Sequence, residues 1–459
     1  MKTEVKIHFL GAAGTVTGSK FVIATPTLNI MVDCGMFQGV KQLRQLNWEP
    51  LPFDVSDIDV VLLTHGHLDH VGYLPRLVKA GFEKQIIGTA PTLAVAKIIL
   101  LDSAKIHEED AERANKEGYS SHMPALPFYT MEEAKRCIAL FSPEPKDEWI
   151  TLSENISCRF RYNGHIIGAT FIELDIFGKR FVFSGDVGRP DDLLLFGPKR
   201  PQKADFLFLE STYGDRHHPI EDLEAFFVEL INKTIQQQGK LIIPSFAVER
   251  AQMLAYLLWK LYKKNKIPNI DIVIDSPMGS NVLDLFQRFP NWHKLPKEQY
   301  AEMRRHLKIV KDYSETWKTI DDARPKIVIA GSGMVTGGRV LTYLKQLIDE
   351  PHTTVLLVGY MAEGTRGRYL LEGVDEIKFY GKYYPVRAKI MHLQSLSAHA
   401  DQLELLGWLS AIEKPPTHVF LVHGEPGATD ALRVKLKDEF QWEAIIPRLY
   451  EVFTLSWES

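Results

Sequence analysis

Sulfur, long apolar runs and excess basic charge are all scarce in this chain, and each shortage removes a class of protein. Only three cysteines, Cys34, Cys137 and Cys158, are scattered over 459 residues. So odd and dispersed a set builds neither a disulfide framework nor a CxxC metal knuckle, and a reducing, cytoplasmic setting is expected. No window approaches the roughly 20 apolar residues of a membrane span, and the opening stretch "MKTEVKIHFLGAAGTVTG" lacks the apolar core of a secretory signal. Membrane association is therefore not expected. A formal net charge of -4 excludes wholesale electrostatic capture of nucleic acid, although a local basic groove would not register in that sum. Tandem repeats and low-complexity linkers are also missing, so composition marks no domain boundary.

What the chain does have is a recurring unit: a short β-rich apolar run that ends in Gly, Pro, Asp, Ser or His. Examples are "VVLLTHGH", "RFVFSGDVG", "FLFLESTYG", "KIVIAGSG" and "VFLVHGE". Such runs read as buried strands of an α/β protein, each delivering polar residues at its C-terminal end, where ligand sites of this class gather. Amphipathic stretches at 219–238 and 246–263 predict crossover helices on a largely parallel sheet. A charged segment at 104–134 interrupts this rhythm and predicts a solvated helical pair or lid. The length allows two or three domains, each with a core of its own.

One stretch carries more chemistry than a core needs. "VLLTHGHLDH", Val61 to His70, places three histidines and an aspartate within six positions after an apolar run. In extended chain residues i and i+2 share a face, so His65 and His67 can present two imidazoles to one ion. Asp69 and His70 follow where a helix begins and aim at a neighbouring position. His165, Asp186 and His423 each follow or end another apolar run and supply further donors. Nitrogen and carboxylate oxygen without thiolate suit a hydrolytic zinc centre better than a closed structural site. Asp186 has the chemistry to bridge two cations.

"THGHLDH", His165, Asp186, and Asp33 in "IMVDCG" resemble the metallo-β-lactamase superfamily. That resemblance implies an α/β fold, the αβ/βα sandwich, with two zinc ions per chain. His65, His67 and His165 would hold one zinc, Asp69, His70 and His423 the other, with Asp186 between them and Asp33 orienting the ligands from behind. Glu210 in "FLFLESTYGDR", His399 in "LQSLSAHADQ" and His423 look like motifs A, B and C of the β-CASP nucleases, and "PSFAVERAQ", "AGSGMVTGGR" and "VGYMAEGTRGR" resemble the cleavage and polyadenylation specificity factor branch with its bacterial and archaeal relatives. The implied organisation is a discontinuous lactamase domain, 1–212 and 386–459, holding an inserted α/β β-CASP domain at 213–385. A histidine at motif C, here His423, implies RNA rather than DNA. The implied activity is hydrolysis of single-stranded RNA, endonucleolytic with 5′-exonucleolysis left open, and Asp69, Glu210 and His399 are its catalytic residues. Phosphodiester hydrolysis independently asks for an activated water, charge neutralisation and a proton for the leaving sugar oxygen; His399 suits the last of these, oriented by Glu210. The rival assignment makes His399 the cap of the helix in "AHADQLELLGWL". Two other classes stay open: a hydrolase of small esters, lactones or thioesters, which has no use for Glu210 or His399, and a catalytically silent scaffold subunit, which need not keep a full ligand set. A homodimer is left open too.

Two glycine-rich stretches imitate nucleotide loops and fail. "GAAGTVTGSK" is one residue short of a phosphate loop and reverses its Ser and Lys, so it reads as a turn near the site; "GSGMVTGG" has Thr336 where a dinucleotide fingerprint needs glycine. The second follows a strand at the start of an expected helix, where Ser332 and Gly333 are placed to meet a substrate phosphate or simply to make a tight turn. Arg250, Arg339 and Arg366 are candidates to grip flanking phosphates, or else plain surface charges. "KFYGKYYPVRAK", Lys378 to Lys389, interleaves cations with Tyr380, Tyr383 and Tyr384, as a base-stacking track or an exposed edge strand would.

Overall fold

A computed structural model describes residues 2–118 and 123–458. They form two compact units: residues 1–217 with 399–459, and residues 218–398.

The first unit contains two seven-stranded sheets. One runs in the order Val452–Glu458, Lys2–Phe9, Lys20–Ala24, Asn29–Cys34, Val60–Leu62, Gln85–Thr89, Phe141–Glu144. The other runs Ala444–Ile445, His418–Val422, Phe206–Glu210, Lys179–Phe183, Thr170–Ile176, Ile156–Tyr162, Ile150–Ser153. Lys2–Phe9 alternates exposed and buried positions, so Val5, Ile7 and Phe9 enter the core while its lysines and glutamate do not. The sheets pack face to face through aromatic rings: Phe9 meets Phe420 at 5.3 Å, and Phe21 meets Phe183 at 6.0 Å. Outside the second sheet, Leu405 and Leu409 of helix Gln402–Leu409 and Leu432 and Leu436 of helix Pro426–Phe440 share a core with Phe171, Val182 and Leu207. Helix Ala90–Glu117 lies against the first sheet, which completes the four layers of an αβ/βα sandwich.

That long helix, closed by Gly118 at φ 66°, and helix Met131–Ile138, opened by a capping box between Thr130 and Glu133, make up the helical pair expected at 104–134. Residues 119–122 of that expectation lie outside the described residues. All three cysteines are buried.

The second unit is built on a six-stranded parallel sheet, in the order Lys308–Ile309, Asp271–Asp275, Lys326–Ala330, Lys240–Pro244, Thr353–Val358, Lys389–Leu393. Lys326–Ala330 and Thr353–Val358 are buried along their whole length, the pattern of strands covered on both faces. The crossover helices run Leu223–Gln236 and Arg250–Lys263. Strand Lys389–Leu393 pairs with Thr353–Val358, so the chain leaves this unit only at His399. A hairpin of Glu376–Phe379 and Lys382–Pro385 stands apart from the main sheet.

Candidate metal centre

In the first unit, strands from both sheets end at one place, and the polar residues that follow them converge there. Asn29–Cys34 carries Asp33 one position before its end, held at φ 56°, a backbone region that aspartate tolerates better than most side chains. Its carboxylate accepts from Thr64 N and Thr64 Oγ1, each at 2.8 Å, and from His70 Nδ1 at 2.8 Å. Three donors on one buried carboxylate fix the segment that carries the histidine cluster. With its Nδ1 proton held by Asp33, His70 turns a lone pair at Nε2 toward the site.

The donors form two groups. In one, His65 Nε2 lies 3.2 Å from His67 Nδ1, which lies 3.1 Å from His165 Nε2. Asp186 Oδ2 stands 3.3 Å from His65 Nε2 and 3.5 Å from His165 Nε2. In the other, His423 Nε2 is 3.3 Å from both His70 Nε2 and Asp69 Oδ2, and His70 Nε2 is 4.0 Å from Asp69 Oδ2. Asp186 Oδ1 approaches His70 Nε2 at 3.3 Å and has no hydrogen-bond partner among the described residues, so its two oxygens serve different groups.

These distances fit metal binding. Four ligands about 2.0 to 2.1 Å from a tetrahedral zinc stand about 3.3 to 3.4 Å apart, and facing imidazole lone pairs at such a separation repel unless a cation lies between them. Burial, reinforced by neighbouring histidines, holds His67 down to about 3 and His165 well below the ordinary range, which keeps both in the neutral form a cation needs. Burial also opposes charge on His70, but Asp186 and Asp33 outweigh it and push that pKa up.

Glu210 ends the strand Phe206–Glu210 and is fully buried. It accepts from Val187 N at 2.5 Å, from Thr212 Oγ1 at 2.6 Å and from His399 Nδ1 at 3.2 Å. His399 Nε2 is then directed toward Asp186 Oδ2, 4.0 Å away, with its ring 4.4 Å from that of His165. Burial lowers the His399 pKa, but the Glu210 carboxylate more than compensates and raises it. His399 does not cap the following helix: Asp401 does, in a reciprocal capping box with Glu404.

Several residues that the sequence did not single out hold this arrangement together. Besides Thr64, Asn163 Nδ2 donates to the carbonyls of Ser184 and Asp186, at 2.7 and 2.6 Å, and so ties the His165 segment to the Asp186 segment. Thr212 Oγ1 is 3.1 Å from His423 Nδ1. The "GAAGTVTGSK" turn lies beside the site, as expected: Ala12 O accepts from His423 N at 2.7 Å, and Asp69 O accepts from Ser19 N at 2.8 Å. Thr64, Asn163 and Thr212 each stand one or two positions from a ligand-type residue, a placement that many other hydroxyls and amides share.

The expected substrate contacts lie in the second unit, where the structure gives the three arginines and Ser332 partners within the protein. None of the three arginines is a plain surface charge. Arg250 is buried, donating to Val358 O at 2.9 Å. Arg339 Nη1 pairs at 2.8 Å with Asp275, a fully buried carboxylate that requires a cation. Arg366 is half-buried and donates to Lys378 O at 2.7 Å. Ser332 and Gly333 are not at a helix start, because the helix begins at Val340; the Ser332 hydroxyl accepts from Thr336 N and Gly337 N, closing a local turn.

A buried nest of histidines and aspartates at the joint rim of two face-packed sheets defines a metal-dependent hydrolase. Comparison with known proteins narrows that class. A family model described as the metallo-β-lactamase superfamily matches residues 14–234, a Beta-Casp domain matches 251–370, and a Zn-dependent metallo-hydrolase RNA specificity domain matches 383–447. The chain is 34% identical over 429 residues to Ribonuclease TTHA0252 of Thermus thermophilus, covering 92% of this chain and 93% of that protein. It is 29% identical to Endoribonuclease ysh1 of Schizosaccharomyces pombe, over 96% of this chain and 57% of that one. A crystal structure of a protein of unknown function from Enterococcus faecalis shares the fold, with a TM-score of 0.55 at 13% identity, over 98% of this chain and 100% of that one. The chain belongs to the β-CASP ribonuclease group of the metallo-β-lactamase superfamily.

Proposed function

We propose that this protein hydrolyses phosphodiester bonds of single-stranded RNA, cutting internally, with two zinc ions held by His65, His67 and His165 and by Asp69, His70 and His423, and with Asp186 between them. When bound, the metals supply a water of lowered pKa and neutralise charge on the phosphate oxygens. The chain's own residues do the rest. Asp33 fixes the tautomer of His70, and Asn163 keeps the His165 and Asp186 segments in register. Glu210 holds the Nδ1 proton of His399, leaving Nε2 to hand a proton to the departing sugar oxygen. The observation that carries this reading is the Glu210–His399 pair, directed at the same aspartate that both donor groups share. A hydrolase of small esters has no use for it.

The test is a circular, internally labelled single-stranded RNA, with a matched DNA circle, incubated with the zinc-loaded protein and with His399→Ala. Linearisation of the RNA circle by wild type alone, with two zinc ions retained in the variant, is the expected result. An RNA circle left intact under conditions where a linear RNA is degraded removes the endonuclease assignment, and zinc loss in His399→Ala makes that residue a ligand. Asp186→Ala should lose both metal and activity; two zinc ions per chain in that variant overturn its bridging role.

A further inference from the structure

The hairpin Glu376–Phe379/Lys382–Pro385 is a two-faced element of the second unit. Its inner face is anchored, with Ile377 and Phe379 buried in that unit's core and Arg366 Nε fixing the carbonyl of Lys378. Its outer face is aromatic and basic. Lys378 and Tyr383 are directly cross-strand, with the ammonium 5.4 Å from the ring centroid, and Tyr383 is 64% exposed. At the tip, Tyr380 and Gly381 take φ 46° and 82°, the pair of left-handed residues that makes a type I′ turn. Asparagine, aspartate or glycine is favoured at the first of those positions, yet a tyrosine stands there, 51% exposed. Residues 376–389 carry four basic residues against one acidic, in a chain whose net charge is -4. Arg387 is paired with Asp349, but among the described residues no carboxylate lies within ion-pair reach of Lys378 or Lys382.

We propose that the outer face and tip of this hairpin are a contact surface for single-stranded RNA: Tyr383 and the tip residue Tyr380 stack on bases, while Lys378 beside Tyr383, and Lys382, which the register pairs with Phe379 next to the tip, meet phosphates. Rigid, exposed aromatic rings interleaved with cations are the chemistry that grips a single strand without reading its sequence. A second copy of the chain is a poorer occupant, because it would bring two faces of the same basic charge together. The proposal rests on the ribonuclease reading and adds to it a substrate surface in the second unit.

The experiment measures binding of a fluorescent 12-nucleotide uridylate to the full chain, with chelator present so that the RNA stays intact. Hydrolysis of bis(p-nitrophenyl) phosphate by the zinc-loaded protein reports the metal centre separately, since that diester has neither base nor second phosphate. Tyr380→Ala/Tyr383→Ala should weaken RNA binding roughly tenfold or more, whereas Tyr380→Phe/Tyr383→Phe should keep it. Lys378→Ala/Lys382→Ala should flatten the slope of log K against log salt by about 1.4, at about 0.7 per phosphate contact on a single strand. Both alanine variants should hydrolyse the small diester at the wild-type rate. Affinity within twofold of wild type in the tyrosine variant, with a salt slope flattened by less than about 0.7 in the lysine variant, overturns the hairpin proposal while leaving the ribonuclease reading intact, as does a dimer that the tyrosine variants dissociate. A wild type that hydrolyses the diester but does not bind the uridylate overturns the ribonuclease reading, and the hairpin proposal with it.

Discussion

Asp33→Asn tests whether the site is set by its supporting carboxylate as well as by its ligands. Asparagine is nearly isosteric and tolerates the φ of 56° at this position, so the backbone is not the variable. One carbonyl oxygen can still accept from Thr64 N. The amide NH2, however, now faces Thr64 Oγ1 and His70 Nδ1, both at 2.8 Å. Two donors cannot face each other, so His70 must give up its Nδ1–H and carry its proton on Nε2, the atom directed at His423 and Asp69. Losing a charge-assisted hydrogen bond costs about 1.5 to 3 kcal/mol, and removing the carboxylate behind a metal-binding histidine weakens metal by about 10- to 100-fold. The two figures agree, since the second corresponds to about 1.4 to 2.7 kcal/mol. Competition against a chromophoric chelator should show one of two zinc ions bound more weakly by that factor, with the other little changed. Urea unfolding of the metal-free protein should show a loss of about 1 to 3 kcal/mol. Two zinc affinities within twofold of wild type would refute the tautomer argument.

A Cβ at Gly188 would fall 2.1 Å from the Gly164 carbonyl and 2.5 Å from His165 N, so Gly188→Ala should displace His165 and lower zinc stoichiometry while circular dichroism stays native; full zinc loading would sink the idea. Gly427→Ala, with open space around its Cβ in the helix Pro426–Phe440, is the control and should stabilise by about 0.5 to 1 kcal/mol. Lys20 is buried, donates to Gly35 O at 2.5 Å and lies 4.4 Å from the centroid of Phe37, and burial brings its pKa from 10.5 down to about 8. Between those values the unfolded chain binds a proton that the folded one does not, so this group's contribution to stability rises with pH, by about 3 kcal/mol over the window. Buried thiols act in the opposite sense, so the quantity to follow is wild type minus Lys20→Met: that difference should grow from pH 7.5 to 10.5, and a flat difference would mean that Lys20 keeps its ordinary pKa in the folded protein and would refute the shift.

The ligand cluster was legible because its residues are consecutive or stand at the ends of recognisable apolar runs, where an α/β sheet gathers its chemistry. Asp33, Glu210 and His399 were legible only as motif members; their partners, 31 to 189 positions away, are set by strand order. Thr64, Asn163 and Thr212 went unnoticed because hydroxyls and amides are common at strand ends and nothing local distinguishes those that support a ligand. The arginines show a different gap. Arg339 is legible as a cation, but its pairing with the buried Asp275, 64 positions earlier, is set by the fold. Serine at 332 reads as part of a helix N-terminus until the turn that it closes delays the helix to Val340.

The burial of all three cysteines has a consequence for how the protein weathers oxidants. Thiolate-bound zinc is released when its sulfur is oxidised, but this donor set contains no sulfur. Burial also pushes the Cys34 and Cys158 thiols up to about 12 and raises that of Cys137, so none presents the nucleophilic thiolate that peroxides attack. Metal retention should therefore survive peroxide treatment, and a cysteine introduced on the surface would be the one residue to take up a thiol-reactive probe.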